Sequence, residues 1–519
     1  MNQVLVNSLL LAAYFAVLLF IGWRCRKRAA DVNGFVLGGR AVGPWLTAFA
    51  YGTSYFSAVV FVGYAGQFGW RYGISATWAG IGNAMIGSLL AWAVLGRRTR
   101  IMTQHLDSST MPDFFAKRFG SPALKLAAAA IIFVFLIPYT ASLYNGLSRL
   151  FGMAFSIDYA WCIVLMSVLT AIYVIAGGYM ATAINDFIQG LVMLVGIAAV
   201  IWAILASKGG LIAALDGLAR IPGPAMVPGG EPTPGIFTSF LGPDPLNLLF
   251  VVILTSLGTW GLPQMVQKFY AIKSENDIHK GTVISTVFAL IVAGGCYFLG
   301  GFGRLFDIDV SAQGYDAIIP EMLSKLSPVI CGIALILVLS ASMSTLSSLV
   351  LTSSSTLTLD FIAPVLMKDK KNERRNLLII RIFIAVFIAV SAVIAVVQYK
   401  LNVTFIAQLM GLSWGALAGS FLAPFLYGLY WKRTTKQACA VCFVWGSVLM
   451  LANMFFKSSF PAFLQSPINC GALAMLGGMV IVPLVSVITK KPDAELTESV
   501  FSCYDKKVLA SVKDVLDEE

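Results

Sequence analysis

The stretch FAYGTSYFSAVVFVGYAG at residues 49–66 is the most informative part of the sequence about the architecture. It is apolar enough to enter a bilayer, yet the polar residues Gly52, Thr53, Ser54 and Ser57 interrupt it. A second interrupted stretch, LTSLGTWGLPQMVQ, occupies residues 254–267 and contains two glycines and a proline. Broken helices at corresponding places in two halves of a chain are the best sequence indication of a transporter's binding site. The pair therefore predicts a membrane transporter with one broken helix in each half.

The composition supports a membrane location. Of the 519 residues, 58% are hydrophobic and only 12% are charged, and the mean hydropathy is +0.83. A soluble protein carries about 25% charged residues, so this chain cannot cover a water-exposed surface of its size. The only histidines are His105 and His279, which makes a zinc site improbable. No phosphate-binding Gly-x-x-x-x-Gly-Lys-Ser/Thr motif occurs, and the sequence predicts no enzyme.

Thirteen apolar stretches are long enough to cross a bilayer, which takes about 20 residues. They lie near residues 3–23, 45–67, 75–96, 122–150, 157–177, 181–206, 246–270, 281–303, 326–360, 377–398, 403–430, 437–457 and 466–489. The first is not a cleaved signal peptide, because its basic cluster RCRKR follows the apolar run instead of preceding it.

The basic residues predict the orientation. With the N-terminus outside, 28 of the 36 Lys and Arg residues fall in cytoplasmic segments, as the positive-inside rule requires. We therefore predict a multi-pass protein of the plasma (inner) membrane with a cytoplasmic C-terminus. The net charge of +11 then reflects topology, and no nucleic-acid partner is expected.

The two interrupted spans, the second and the seventh, lie five spans apart, which fits an inverted repeat of spans 2–6 and 7–11. Glycines 411, 415 and 419 in the eleventh span predict close helix packing. The predicted divisions are an extra helix and loop (1–44), a first repeat (45–206), an extracellular loop (207–245), a second repeat (246–430), two C-terminal helices (431–491) and a cytoplasmic tail (492–519).

Two features place polar groups inside the spans. Asp186 lies within the sixth span, where burying a carboxylate costs free energy and often indicates a functional site. Its position near the start of the span also fits a simpler role, because the helix dipole stabilises a carboxylate at a helix N-terminus. The ninth span reads LSASMSTLSSLVLTSSS from residue 339 and has six hydroxyls within residues 340–348. Such hard oxygen atoms suit Na⁺, whereas small residues of this kind also serve simply to let helices approach closely.

The chain resembles the sodium:solute symporter family. The resemblance rests on FVLGGR (35–40), TSYFSAVVFVGYAG (53–66), GGYMATAINDFIQG (177–190), WGLPQ (260–264) and SASMSTLSS (340–348). It implies an all-α polytopic membrane protein of 13 transmembrane helices, with a leucine-transporter-like 5+5 inverted repeat in which the first and sixth core helices are broken.

The resemblance also implies the coupling ion and its ligands. A Na⁺ site would use the backbone carbonyls of Thr53, Phe56 and Ala341 and the hydroxyls of Ser344 and Thr345. A possible second Na⁺ site, found in some members, would use Asp186, Ser344, Ser347 and Ser348. Proline-transporter relatives have an acidic residue where this chain has Tyr55, which speaks against proline as the solute.

The solute is expected near the bilayer midplane, between the two breaks. The candidate contacts are Ser54, Tyr55, Ser57, Tyr139, Asn145, Trp260, Gln264 and Gln408. We expect symport of a small organic solute into the cell by alternating access, first a carboxylate such as pantothenate, proline or another monocarboxylate, and second a sugar. An H⁺-coupled symporter of the same fold, a transporter-derived sensor and a channel are the alternatives.

Overall fold

A computed structural model describes residues 3–155, 158–224, 231–366, 372–401 and 406–505. The predicted cytoplasmic tail is therefore described only to Asp505, and its remainder lies outside the described residues. Within the described part the chain is helical, and the only β-pairings there are the isolated bridges Val42–Ile272 and Gly223–Thr233.

The helices to which the description refers are numbered in chain order. They are α1 (Gln3–Cys25), α2 (Pro44–Tyr55), α3 (Val59–His105), α4 (Pro122–Phe155), α5 (Tyr159–Ser207), α6 (Pro245–Gly261), α7 (Pro263–Ala271), α8 (Asn276–Leu305), α9 (Pro328–Thr356), α10 (Glu373–Leu401), α11 (Ile406–Tyr430), α12 (Lys436–Phe455), α13 (Pro467–Ile488) and α14 (Ala494–Phe501). Shorter helices connect them at Val32–Leu37, Met111–Phe119, Leu211–Ala219, Val310–Gln313 and Ile318–Ser324.

Nine helices of the described part are long and apolar enough to cross a membrane, or up to ten if the bent pair α6 and α7 forms one span. Two of the nine, Val59–His105 and Ala160–Ser207, contain 47 and 48 residues, which is about twice the length that one crossing needs. The number of thirteen transmembrane helices stays a prediction.

The outer faces of the helices are suited to hydrocarbon. Trp161, Val195 and Trp202 of α5 are each about 70% exposed. A continuous apolar surface of this kind would be a liability in water, whereas lipid tails accept it. By contrast, 94% of the most apolar part of α11 is buried inside the protein. Helix α11 therefore lies at the centre of the bundle.

The glycines of α11 allow it to reach this central position, which confirms their predicted role in packing. A Cβ atom at Gly415 would lie 2.7 Å from the Cα atom of Gly471 in α13. A Cβ atom at Gly419 would lie 2.7 Å from the Cβ atom of Ala474 in the same helix. The backbones are therefore too close for larger side chains.

Both predicted breaks are present. The first follows α2, where Phe56 is extended (φ −89°, ψ 109°) and the Oγ atom of Ser57 accepts a hydrogen bond from the Val59 N–H at 3.3 Å. The second separates α6 from α7, which are bent by 46° at Leu262 (φ −80°, ψ 122°). Leu262 precedes Pro263, and a residue before proline favours the extended conformation. Proline at the first position of a helix loses no hydrogen bond, so α7 begins there.

Helix α5 changes direction at Gly178, whose φ of +54° is disfavoured for residues with a side chain. Its Cβ position would lie 2.8 Å from the carbonyl oxygen of Phe35, in the short helix Val32–Leu37. The bend places Asp186 about two turns into the second half of α5.

Candidate functional site

Five oxygen atoms meet where the first break contacts α9. The Ser344 Oγ atom lies 3.2 Å from the Thr53 carbonyl oxygen and 3.1 Å from that of Ala341. The Thr345 Oγ1 atom lies 3.1 Å from the Thr53 carbonyl, 3.4 Å from the Phe56 carbonyl and 3.0 Å from the Ala341 carbonyl. The structure thus brings together all five residues predicted for the first Na⁺ site. We call these five atoms the break cluster.

The interrupted backbone explains why the carbonyls are available. The N–H groups of Val60 and Phe61 both donate to the Ser57 carbonyl, which leaves the carbonyl of Phe56 facing Thr345. Every residue of the cluster is at most 1% exposed, so its oxygen atoms are shielded from water. Carbonyl and hydroxyl oxygens are hard ligands, and a set without a carboxylate suits a monovalent cation.

A second buried polar group lies beside the break cluster. Asp186 is 0% exposed, and neither carboxylate oxygen has a hydrogen-bond partner among the described residues. The Nζ atom of Lys268 lies 4.0 Å from its Oδ2 atom and donates a hydrogen bond of 3.0 Å to the Ser348 Oγ atom. The Ser348 Oγ atom also lies 2.8 Å from that of Ser54, while Ser347 donates to the Ser344 carbonyl in its own helix.

Lys268 is a buried polar residue that the sequence analysis does not identify as part of the site, although it lies within the predicted seventh span (246–270). It lies in α7 and is only 2% exposed. A signal was available, because Gln264, Gln267 and Lys268 follow the i, i+3, i+4 spacing of one helix face. Gln267 accepts a hydrogen bond of 2.7 Å from the Thr352 hydroxyl, so α7 is joined to α9 at two positions one turn apart.

Four predicted solute contacts are buried around the breaks. Tyr55, Ser57, Tyr139 and Gln264 are at most 1% exposed. The Tyr55 hydroxyl and both amide atoms of the Gln264 side chain have no hydrogen-bond partner among the described residues. Buried polar atoms normally have partners, and a bound ligand is one way to supply them.

Aromatic side chains pack beside the second break. The Tyr139 and Trp414 rings meet edge to face, with their centroids 6.0 Å apart. Trp414 in turn covers Gly258 of α6, where a Cβ atom would lie 2.7 Å from the indole ring. This row of side chains therefore runs from Tyr139 in α4 to Gly258 in α6, four residues before Leu262 at the second break.

The other predicted contacts have different surroundings. The Trp260 indole N–H donates to the Ile86 carbonyl at 2.9 Å, which ties it to α3. The Asn145 amide nitrogen lies 3.5 Å from the Gln398 side-chain oxygen in α10. Gln408 is half-buried in the first turn of α11, and Ser54 faces Ser348.

Comparisons with known proteins agree with this architecture. The model of the sodium:solute symporter family matches residues 35–446. The osmoregulated proline transporter OpuE of Bacillus subtilis is 28% identical over 505 residues, covering 96% of this chain and 97% of that protein. A sodium/proline symporter of Staphylococcus aureus is 28% identical over 512 residues, covering 94% and 93%.

A solved structure shares the fold. It is that of a Na⁺-coupled sialic acid symporter in a substrate-bound outward-open state, with a TM-score of 0.72 and 17% identity over 94% of this chain and 99% of that one. The predicted fold class is thereby confirmed, apart from the exact number of helices.

Proposed function

This chain belongs to the sodium:solute symporter family, and we propose that it imports a small monocarboxylate together with Na⁺ by alternating access. The family and the relatives are transporters, so the chain is a Na⁺-coupled symporter of an organic solute in a membrane, and not an enzyme. The identity of the solute and the residues that bind it are the proposed part.

The break cluster is the observation that carries the proposal. We assign Na⁺ to its five oxygen atoms, contributed by Thr53, Phe56, Ala341, Ser344 and Thr345. An ion held there would join α2 to α9 and stabilise the break in the arrangement that accepts the solute. Na⁺ entering from outside is favoured by the membrane potential, by about 2.3 kcal/mol per charge per 100 mV.

The surroundings of the breaks favour a small amphipathic solute. Tyr55 and Gln264 offer neutral hydrogen-bonding groups, and the Tyr139–Trp414 pair offers an apolar face. Helices begin at Val59 and Pro263, and helix N-termini attract a carboxylate. Both named relatives are proline transporters, so proline is tested beside pantothenate and other monocarboxylates, although Tyr55 replaces the acidic residue of proline transporters. A sugar is the second candidate.

Alternating access requires that this site open to one side at a time. Tyr55, Ser57 and Gln264 are sealed from solvent in the structure, so a solute can reach them only after the surrounding helices move. Opening would need displacement of the broken helices relative to α9, the kind of motion common in transporters with inverted repeats.

Uptake by proteoliposomes tests the function. We expect an inward Na⁺ gradient to drive accumulation of at least one labelled monocarboxylate, and an H⁺ gradient without Na⁺ to drive none. Each solute is measured with and without Na⁺, and empty liposomes serve as the control. Accumulation of a sugar alone would contradict the proposed solute class, and uptake that ignores Na⁺ would contradict the assigned ion.

A further inference from the structure

A lysine ammonium group is buried inside the bundle. Lys268 and Asp186 are 2% and 0% exposed, respectively. An ionised group far from water is costly unless other polar groups surround it. The Lys268 ammonium has three such neighbours: the Ser348 hydroxyl at 3.0 Å, the Asp186 carboxylate at 4.0 Å and the Tyr179 ring at 5.0 Å. They belong to α9 and α5, so one charge on α7 joins three helices.

The position of this ammonium group is informative. Asp186 and Ser348 are two of the residues that a second Na⁺ would need, and both already face Lys268. An ammonium group and Na⁺ carry the same charge and seek the same oxygen atoms. In the protein interior, where water does not screen charges, repulsion between the ammonium group and Na⁺ would prevent the two cations from binding beside the same carboxylate.

The Lys268 ammonium also acts on the first break. Lysine can only donate, so Ser348 accepts from it and uses its own proton to donate to Ser54. Ser54 then donates to the carbonyl of Ala50 in α2. This chain of hydrogen bonds therefore passes through Ser54, the residue next to Thr53 of the break cluster, and ends at Ala50.

We propose that the Lys268 ammonium is a built-in cation that takes the place of a second coupling ion, so that this symporter binds one Na⁺ in each cycle. The inference rests on the proposed assignment of Na⁺ to the break cluster. In this arrangement, the contact of α7 with α5 and α9 does not depend on Na⁺, whereas the contact of α2 with α9 does. Asp186 serves as the counter-ion of Lys268 and not as a Na⁺ ligand.

Counting bound Na⁺ tests the inference. We expect purified wild-type protein to bind one ²²Na⁺ per chain and proteoliposomes to show a flux ratio of one Na⁺ per solute. In Lys268→Met, whose unbranched side chain is one atom shorter and has no charge, Na⁺ can reach Asp186. The variant should bind two ²²Na⁺ per chain, and its stabilisation by Na⁺ should become steeper, with a Hill coefficient near 2 instead of 1.

The matched control is a double variant in which both Lys268 and Asp186 are replaced by uncharged residues. Lys268→Met is purified in high Na⁺, since the lone Asp186 carboxylate would destabilise it at low Na⁺. The double variant Lys268→Met/Asp186→Asn has neither charge, so it should fold without added Na⁺ and again bind one ²²Na⁺ per chain.

Three outcomes would overturn the inference: two Na⁺ ions on the wild-type chain, one Na⁺ on Lys268→Met, or failure of Lys268→Met to fold even in high Na⁺. The absence of any bound Na⁺ on the wild-type chain would instead contradict the proposed assignment of Na⁺ to the break cluster.

Discussion

The hydroxyls of Ser344 and Thr345 each lie near two or three carbonyl oxygens, but each hydroxyl has only one proton to donate. Their two hydroxyls carry two protons, whereas the carbonyls of Thr53, Phe56 and Ala341 offer two lone pairs each. Because the site is shielded from water, the surplus of lone pairs gives the break cluster a negative electrostatic potential, although no residue in it carries a formal charge. A small monovalent cation compensates this surplus better than a hydroxyl can, which is the residue-level reason for assigning Na⁺ there.

Removing one of these hydroxyls should weaken Na⁺ binding. For Ser344→Ala we expect the Na⁺ concentration that gives half-maximal uptake to rise about tenfold or more, because a lost ligand of this kind costs about 1.4 kcal/mol or more. The measurement is the Na⁺ dependence of uptake in proteoliposomes. Ser342→Ala is the control, since the Ser342 hydroxyl donates to Val338 within α9. An unchanged Na⁺ requirement in Ser344→Ala would remove this residue from the site.

A substitution at Tyr55 tests the proposed solute contacts. The Tyr55 hydroxyl is buried without a partner among the described residues, so Tyr55→Phe should leave folding intact. We expect the half-saturating solute concentration to rise about tenfold, the equivalent of one lost hydrogen bond, while the thermal stabilisation by Na⁺ stays unchanged. Tyr427→Phe, whose hydroxyl bonds to the Met479 carbonyl, serves as the control. Equal solute affinity in both variants would place the solute elsewhere.

At the scale of elements, α7 depends on its neighbours. Its nine residues are too few for a stable isolated helix, and all of them are buried. It is held by the hydrogen bonds of Gln267 and Lys268 to α9 and by that of Gln267 to the Val36 carbonyl. The position of α7 therefore depends on these three hydrogen bonds to its neighbours.

The packing of α11 can be tested with one methyl group. In Gly415→Ala the new Cβ atom would meet the Gly471 Cα atom at 2.7 Å and the Met450 Sδ atom at 2.8 Å. We expect a loss of about 1–3 kcal/mol from overpacking and a melting temperature lower by a few degrees in detergent.

The control for this variant is another buried helical glycine. In Gly294→Ala the nearest atom to the new methyl group is the Leu290 Cδ1 atom at 3.9 Å, and alanine favours a helix. Its melting temperature should stay the same or rise. A Gly415→Ala protein as stable as Gly294→Ala would mean that α11 and α13 are packed less closely than the structure shows.

At the scale of the whole molecule, the C-terminal segment lies against the basic ends of the helices. Arg98 lies over the Tyr504 ring at 4.6 Å, and Arg118 lies over the Phe501 ring at 4.8 Å. The Tyr504 hydroxyl donates to the Arg98 carbonyl at 3.1 Å. The first part of the predicted tail, to Asp505, is therefore packed on the body, on the same side as the helix Met111–Phe119.

The predicted orientation can be measured with single cysteines. Seven of the eight native cysteines are buried, so Cys331→Ser is a suitable background. With the N-terminus outside, Arg220→Cys should react with a membrane-impermeant maleimide in intact cells, and Lys273→Cys only after permeabilisation. Both positions are exposed, so access depends on the side of the membrane alone. The reverse pattern would invert the topology.

Features that depend only on neighbouring residues could be predicted before the structure was known. Long apolar runs, the two breaks at Phe56 and Leu262, and the placement of Ser344 and Thr345 on adjacent helical positions are local consequences of residue type and spacing. The break cluster could be predicted for that reason, once the resemblance to the family indicated which carbonyls to pair with these hydroxyls.

The environment of Lys268 and the partners of Trp260 and Asn145 became apparent only from the packing of the helices. Lys268 lies six residues beyond the break at Leu262, near the end of the predicted seventh span, where a charge is typical of the start of a loop. Its neighbours Ser348 and Asp186 are about 80 residues away on either side. Contacts across such distances depend on how three helices pack, and packing is a property of complementary surfaces that no local pattern encodes.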